Sequence, residues 1–548
     1  MLETFTKMMP GKRVIFYALL FASLGLALQW WRLVSLNASY DQGIFLQALW
    51  NGLDGHPFAS TLSSQLSTNV IHNGELPSVD YQRLSQHFTP LLATWIPFVG
   101  LLGIWALPFI QIGMITAAGL ILFQLAKQDL KPELAEKMTL SFFCANAIIA
   151  PTLGNFTDLC QLPLLVFTLL LGLRTNKAGL VIISAFLIPL VREDTGIVLA
   201  SIGIWISVQN PQKRALGIAL IVIGMTWVGV VTNIFMPAFG DDNAKRFMVS
   251  NFGQFAPDKE RATSIDITRQ VLSQPMIFAR ELASPPKDTL MYILGMGLPL
   301  LFVPLVAKDA LLMASLPLTG ILLAQGSNDP LSINIRYTFL VAPALFAGSI
   351  YWWKSRQSLF HSRRLKSFWN GCIALSLIFA IAGNQNRSFS FAIPDSIQPW
   401  VYASPIEQWR HGSAARQALS VIPNNASVSA NTNLVPWLAQ RRVLVRFPHD
   451  IGYLDGDKRE KDVDWIAVDL NNLAHFAEAF PRDRKMLSKS LKWIENNAFQ
   501  YPVQSIHDGV VVMARGGVLN EHHQNELKRL IEELTIKTMP PEQRQFAN

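Results

Sequence analysis

Apolar residues in this chain come in long, nearly charge-free runs separated by short polar stretches, and the pattern holds as far as residue 383. A helix needs about 20 apolar residues to cross a hydrocarbon core of about 30 Å. Runs of this kind lie at 14–33, 107–125, 138–151, 162–173, 180–191, 196–208, 216–235, 290–306, 310–324, 337–353 and 369–382. Several are short and require flanking residues, tilt or a thin bilayer. The run 88–102 is also apolar, but 101–105 leaves little room for a turn, so it reads as a re-entrant or interfacial segment. The expected fold is mainly α, a polytopic transmembrane helix bundle of about eleven spans.

Beyond residue 383 the pattern becomes that of a soluble domain. Segments 426–430, 442–447 and 464–470 read as strands and 434–440 as a short helix. Segments 501–505 and 509–514 flank His507, Asp508 and Gly509, a hairpin signal. The expected organisation is a transmembrane helical domain over 1–383, with outer loops at 34–86 and 237–289. A C-terminal soluble α/β domain follows over 384–515, then a polar helical tail over 516–548.

Composition agrees with a membrane protein. The chain is 50% hydrophobic and 15% charged, against about 25% charged in soluble domains. The net charge of +8 is not a nucleic-acid signature, because the basic residues alternate by loop and no nucleic-acid motif is present. Lys127, Lys131 and Lys137 fall in one loop, and Arg174 with Lys177, Lys213 with Arg214, and Lys308 in later ones. Lys354, Arg356, Arg363, Arg364 and Lys366 fall in another. The intervening loops carry chiefly Arg83, Arg192 and Arg336. The positive-inside rule then sets the N-terminus in the cytoplasm and the C-terminal domain outside. The exception is 237–289, where seven basic residues meet seven acidic ones. The first run follows Lys7, Lys12 and Arg13 and ends at Trp30, Trp31 and Arg32 without a small-residue cleavage site, so it is read as a retained span. Cys144, Cys160 and Cys372 form neither a CxxC nor a His/Cys cluster, so no disulfide framework or zinc site is expected.

Candidate chemistry gathers in the loops assigned to the outer face. Ile44, Phe45, Ala48, Leu49 and Leu53 recur at helical spacing, which suits a helix lying in the membrane interface. Asp41 stands at its start. It reads either as an N-cap, as a general base for an acceptor hydroxyl, or as a ligand for a divalent cation on a phosphate. Ser85-Gln86-His87-Phe88-Thr89-Pro90 closes the same loop, and Asn155-Phe156-Thr157-Asp158 occupies the next. Arg192-Glu193-Asp194 sits between two short apolar runs, where charge must be paired or functional. Arg192 reads as a partner for its acidic neighbours or as a ligand contact, His87 as an interfacial residue or a binding one, and Asp158 as an N-cap or a catalytic acid. Arg336, beside Tyr337, reads as a headgroup anchor or as a fork for phosphate.

Tyr40-Asp41-Gln42-Gly43-Ile44-Phe45-Leu46-Gln47-Ala48-Leu49-Trp50-Asn51 resembles the opening signature of domain-of-unknown-function family 2079, a prokaryotic family of predicted membrane proteins. The segments 85–90, 192–194, 336–337, 422–430 and 508–512 follow in the family's order. That family is similar to the type-C glycosyltransferases, polytopic enzymes that take sugar from a polyprenyl-phosphate carrier at the outer membrane face. The resemblance implies a GT-C-like fold and a catalytic carboxylate at Asp41, assisted by Asp158. Glu193 joins them as a third catalytic candidate, with His87, Arg192, Arg336, Tyr337 and Gln47 as substrate-binding candidates. A divalent cation on Asp41 and Asp158 is one cofactor option. The family pattern at the second loop has an acid, an aromatic and a histidine; here it reads Asp158-Leu159-Cys160, without the histidine. The expected partners are the lipid bilayer and a polyprenyl-phosphate-linked sugar, with no nucleic acid. The competing reading is a transporter or lipid-handling protein without group-transfer chemistry. It is disfavoured because the polar clusters sit at one face and no two halves repeat.

Overall fold

The structure, a computed structural model, describes residues 11–67, 74–256, 258, 260–324, 330–383 and 388–539, with only the backbone at 241–242. The expected domain boundary at residue 384 lies outside the described residues. The chain divides into two compact units. The first comprises Met1–Ala27, Leu84–Leu92 and Pro108–Gln385, and the second Leu28–Arg83, Ala93–Leu107 and Asn386–Asn548.

The chain is mainly helical. Four helical stretches are long and apolar enough to cross a membrane: Lys12–Val34, Pro90–Lys127, Pro211–Gly240 and Arg363–Ala382. Ala178–Val191 and Thr195–Gln209 are apolar but shorter. At 1.5 Å per residue, their 14 and 15 residues rise about 21–23 Å. Leu19, Ile182, Ile183 and Phe186 are exposed on these helices, which is costly against water and natural against lipid. The stretch 88–102 contains the helix Ile96–Leu102, whose seven residues rise only about 10 Å. It ends at Gly103, where φ is 55°.

Two expected spans are not continuous helices. The run 138–151 is divided between Pro132–Phe143 and Asn146–Leu153, with Ala145 extended between them and the Asn146 N–H donating to Ser376 Oγ at 2.9 Å. The run 290–306 breaks after Gly297 into two short 3-10 turns around Leu301 and Phe302, both left-handed. Pro299 and Pro304 explain that break, since a proline disfavours helix in the residue before it and cannot donate to the ladder.

In the first unit, Thr195–Gln209 and Arg214–Val230 approach closely through small residues. A Cβ on Gly224 would lie 2.3 Å from the Gly196 carbonyl oxygen, and one on Gly203 would lie 2.5 Å from that of Gly217. Bare backbones in contact are a common way for helices to associate where lipid removes the hydrophobic drive. Thr195–Gln209 is also tied to Lys308–Leu323: the Leu316 N–H donates to Ser201 Oγ at 2.9 Å and Trp205 Nε1 to Asp309 Oδ1 at 2.8 Å.

In the second unit a five-stranded sheet runs in the order Leu444–Arg446, Val428–Ala430, Trp465–Asp469, Val510–Ala514, Val503–His507. The first three strands are parallel, and Val510–Ala514 runs antiparallel to both of its neighbours. Phe447, Ile466, Val468, Leu487, Leu491 and Met513 are among the residues of its core. Asp508 and Gly509 turn the hairpin with φ of 47° and 74°, the paired positive values of a two-residue turn. The edge strand Leu444–Arg446 is finished by side chains. Thr61 Oγ1 donates to Leu444 O at 2.6 Å and accepts from its N–H at 3.0 Å, and Gln65 Oε1 accepts from the Arg446 N–H at 2.6 Å.

Candidate functional site

Two apolar helices of the first unit meet in the three-residue turn Arg192, Glu193, Asp194. Arg192 ends Ala178–Val191 in extended conformation, and Asp194 is the N-cap of Thr195–Gln209. Thr195 closes the turn, its hydroxyl 2.6 Å from Ile188 O and 2.7 Å from Arg192 O. Arg192 and Glu193 are buried and Asp194 is partly exposed; two charges can be buried between apolar segments only because each is answered.

Glu193 is answered by the segment 84–92 of the same unit. Its Oε1 lies 2.9 Å from His87 Nδ1, and its Oε2 accepts the Phe88 N–H at 2.9 Å. Phe88 stacks on Phe235 with ring centroids 5.8 Å apart, and Asn243 Nδ2 donates to Ser85 Oγ at 3.1 Å, which fixes this segment. Burial pushes the Glu193 carboxyl up to about 7, against the pull of Arg192. A carboxyl that changes charge near neutrality, bonded to an imidazole, is equipped to take and return a proton.

Arg192 is held in a fork by Asp194, with Nε 2.8 Å from Oδ1 and Nη2 2.5 Å from Oδ2. Its guanidinium also lies 5.5 Å from the Tyr337 ring centroid, and that of Arg336 lies 5.5 Å from the same centroid. Asp158 is buried, with Oδ1 accepting from the Leu159 N–H at 2.9 Å and from the Thr157 hydroxyl at 3.0 Å. Its charge acts on Arg192 and Glu193. Gln111 positions that loop by accepting the Thr157 N–H at 2.8 Å and donating to Thr152 O at 2.9 Å.

A cavity of about 190 Å³ opens beside this cluster. His87, Arg192, Glu193, Asp194 and Tyr337 form its polar side, and Ile197, Val228, Met236, Phe247, Met248 and Ile321 are among its apolar walls. An ionisable side facing a mostly apolar remainder suits a ligand with a polar group and an apolar part.

Of the expected site residues, His87, Asp158, Arg192, Glu193, Arg336 and Tyr337 come together in the first unit. Asp41 and Gln47 belong to the second, both on the helix Tyr40–Trp50. Asp41 stands in the first turn of that helix, whose N-cap is Ser39, and acts electrostatically on Arg32, Tyr40 and Arg446. Gln47 is fully buried and bonded to the protein itself. Its Nε2 donates to Thr61 Oγ1 at 3.0 Å and Arg441 O at 3.2 Å, and its Oε1 accepts from Ser60 Oγ at 2.8 Å and the Leu62 N–H at 3.1 Å. Gln47 therefore pins the segment 60–62. Among the described residues no three His, Cys, Asp or Glu side chains form a metal-holding group.

Sequence reasoning missed a second polar cluster, in the second unit. His411 Nε2 lies 2.9 Å from Asp469 Oδ2 and its Nδ1 2.8 Å from Asp508 Oδ2. Burial opposes a charge on His411, but the two carboxylates outweigh it and hold the imidazolium up to about 9. The folded-state value lies above the ordinary 6.5. The stabilisation is therefore whole below about pH 6.5 and is lost as pH rises through about 9, with a ceiling of about 3 kcal/mol. Melting of the detergent-solubilised chain across that window should show a decline that His411→Gln removes; a decline of equal size in the variant would refute the assignment.

The family model described as Predicted membrane protein (DUF2079) matches residues 32–512. Among solved structures, ArnT from Cupriavidus metallidurans bound to undecaprenyl phosphate is similar at a TM-score of 0.43 and 12% identity, covering 90% of this chain and 97% of that one. No curated protein matches the chain.

Proposed function

The chain belongs to this family of predicted membrane proteins, and from that premise we propose that it is a membrane glycosyltransferase that moves a sugar from a polyprenyl-phosphate donor to an acceptor hydroxyl at the outer membrane face. The observation that carries this reading is the buried Glu193 carboxyl, bonded to His87 and the Phe88 N–H on the wall of a largely apolar cavity. The apolar walls take the isoprenoid chain and leave its phosphate end beside the ionisable groups. Charge alternation among the loops supports eleven crossings, with the N-terminus in the cytoplasm and the C-terminal part outside.

In the step we assign, the acceptor oxygen attacks the anomeric carbon while the carbon–oxygen bond to phosphate breaks. Its electron pair leaves with the polyprenyl phosphate, through an oxocarbenium-like state. The hydroxyl proton passes to Glu193, which His87 orients. Arg336 meets the developing phosphate charge, while Arg192, already forked on Asp194, sets the turn and stacks on Tyr337. Asp158 adds negative charge that raises Glu193. Asp41 is the carboxylate the family resemblance singles out for catalysis, and we assign it a part in the reaction on that ground.

Reconstitution into liposomes with a polyprenyl-phosphate-linked hexose tests this reading. Release of polyprenyl phosphate with a new glycosidic bond is the expected result, and Asp41→Asn should lower that rate. Movement of the intact donor across the bilayer without bond cleavage would instead establish lipid handling. Full activity of Asp41→Asn would remove Asp41 from the chemistry.

A further inference from the structure

The second unit has a cavity of its own. It measures about 690 Å³, within the range of about 300–1,000 Å³ usual for small-molecule sites. The strand order explains its position. From Val428–Ala430 the chain passes to Leu444–Arg446 on one side and later to Trp465–Asp469 on the other, all three parallel. Connections leaving in opposite directions open a crevice beyond the C-terminal ends of the two central strands, where open α/β sheets place ligands.

The residues at those ends are polar and fixed. Asn433 Nδ2 donates to Asp469 Oδ2 at 2.6 Å, and the Asn472 N–H donates to Asp469 Oδ1 at 2.9 Å. Val510 pairs with Asp469, so the hairpin turn carrying Asp508 reaches the same edge. Asn471 Nδ2 donates to Asp508 Oδ1 at 3.2 Å. His411 bridges the two carboxylates and forms part of the cavity wall.

The cavity carries an unmet acceptor. Gln408 is 9% exposed; its Nε2 donates to Ala403 O at 3.1 Å, while its Oε1 has no hydrogen-bond partner among the described residues. A buried acceptor left open is unfavourable unless an incoming group donates to it. The other walls indicate which group. Glu407 and Asp508 stand against Arg410 and His411, so neither sign of charge prevails. The side chains of Asn37, Asn471 and Asn472 offer amides, and Tyr402 adds an aromatic ring. Amides present a donor and an acceptor side by side, matching neighbouring hydroxyls, and an aromatic face suits the C–H side of a ring.

We propose that this cavity binds a saccharide, with a ring hydroxyl donating to Gln408 Oε1, further hydroxyls on Asn471 and Asn472, and one C–H face against Tyr402. The binding does not depend on the transferase reading and holds whether or not the first unit performs group transfer.

Saturation-transfer NMR on the full chain in lauryldimethylamine oxide, a detergent without sugar, tests it with N-acetylglucosamine, galactose and glucuronate at millimolar concentration. At least one should receive saturation on its ring protons, and excess inorganic phosphate should leave that signal unchanged. Gln408→Met removes the open acceptor at similar volume and should weaken binding at least tenfold. Asn472→Ala should weaken it several-fold, and it carries the comparison should Gln408→Met fail to fold. Absence of transfer to all three sugars, displacement by phosphate, or unchanged binding in the folded variants would overturn the proposal.

Discussion

Replacing Glu193 by Gln should lower sugar transfer by about 10²–10⁴-fold, the usual contribution of a positioned general base. The substitution keeps the size of the side chain and leaves an oxygen to accept the Phe88 N–H. What it removes is the ability to accept a proton. The effect should fall on kcat, with the KM for the lipid donor nearly unchanged, because the apolar walls that hold the chain are untouched. The pH profile provides the sharper readout. The wild-type base works ionised, so with its carboxyl pushed up to about 7, kcat/KM should climb as pH rises through about 7 and then level. The variant should be flat across that interval. A variant with wild-type turnover, or one that keeps the climb, would show that another group takes the proton.

The helix pair behind this turn should be as sensitive as the turn itself. Gly224→Leu places a branched side chain where even a Cβ would sit 2.3 Å from the Gly196 carbonyl oxygen. That neighbour is backbone and cannot rotate away. Overpacking commonly costs 1–3 kcal/mol; with a backbone neighbour and its reciprocal contact at Gly196, about 3 kcal/mol or more is expected, together with displacement of Glu193 at the head of the same helix. Gly229 lies five residues further along Arg214–Val230, and a Cβ there meets nothing within 4 Å. Gly229→Ala should therefore be neutral or stabilising by about 0.5–1 kcal/mol. Thermal stability of the two variants in one detergent checks the contrast; equal melting temperatures would mean that the close approach does not hold the helices.

Legibility in the sequence followed the range of the interaction. The apolar runs 196–208 and 216–235 became helices because composition alone drives them. The hairpin was readable because Asp508 and Gly509 carry the backbone conformation the turn needs. Arg192, Glu193 and Asp194 stand out because charge between apolar runs demands a partner, and Arg192 takes Asp194, two positions away. Glu193 took His87 instead, 106 positions away, and nothing local announces that choice. The His411 bridge joins residues 58 and 97 positions distant, which sequence spacing cannot convey. The bonds that bury Gln47 reach Thr61 and Arg441, the latter 394 positions away, and a signature motif gives no sign of them. The break near Leu301 was within reach, since Pro299 and Pro304 were visible; the apolar run concealed it. The break at Ala145 has no comparable local mark.

The sheet of the second unit stops at Leu444–Arg446 because two side chains, Thr61 and Gln65, occupy the hydrogen-bonding groups a further strand would seek. A border finished this way acts as a stopper against self-association. Loosening of residues 61–65 would uncover a ready template, on which another molecule's extended segment could add and begin a growing aggregate. Protection of the Leu444 and Arg446 amides from deuterium therefore gauges how well the chain resists clumping once it leaves the membrane.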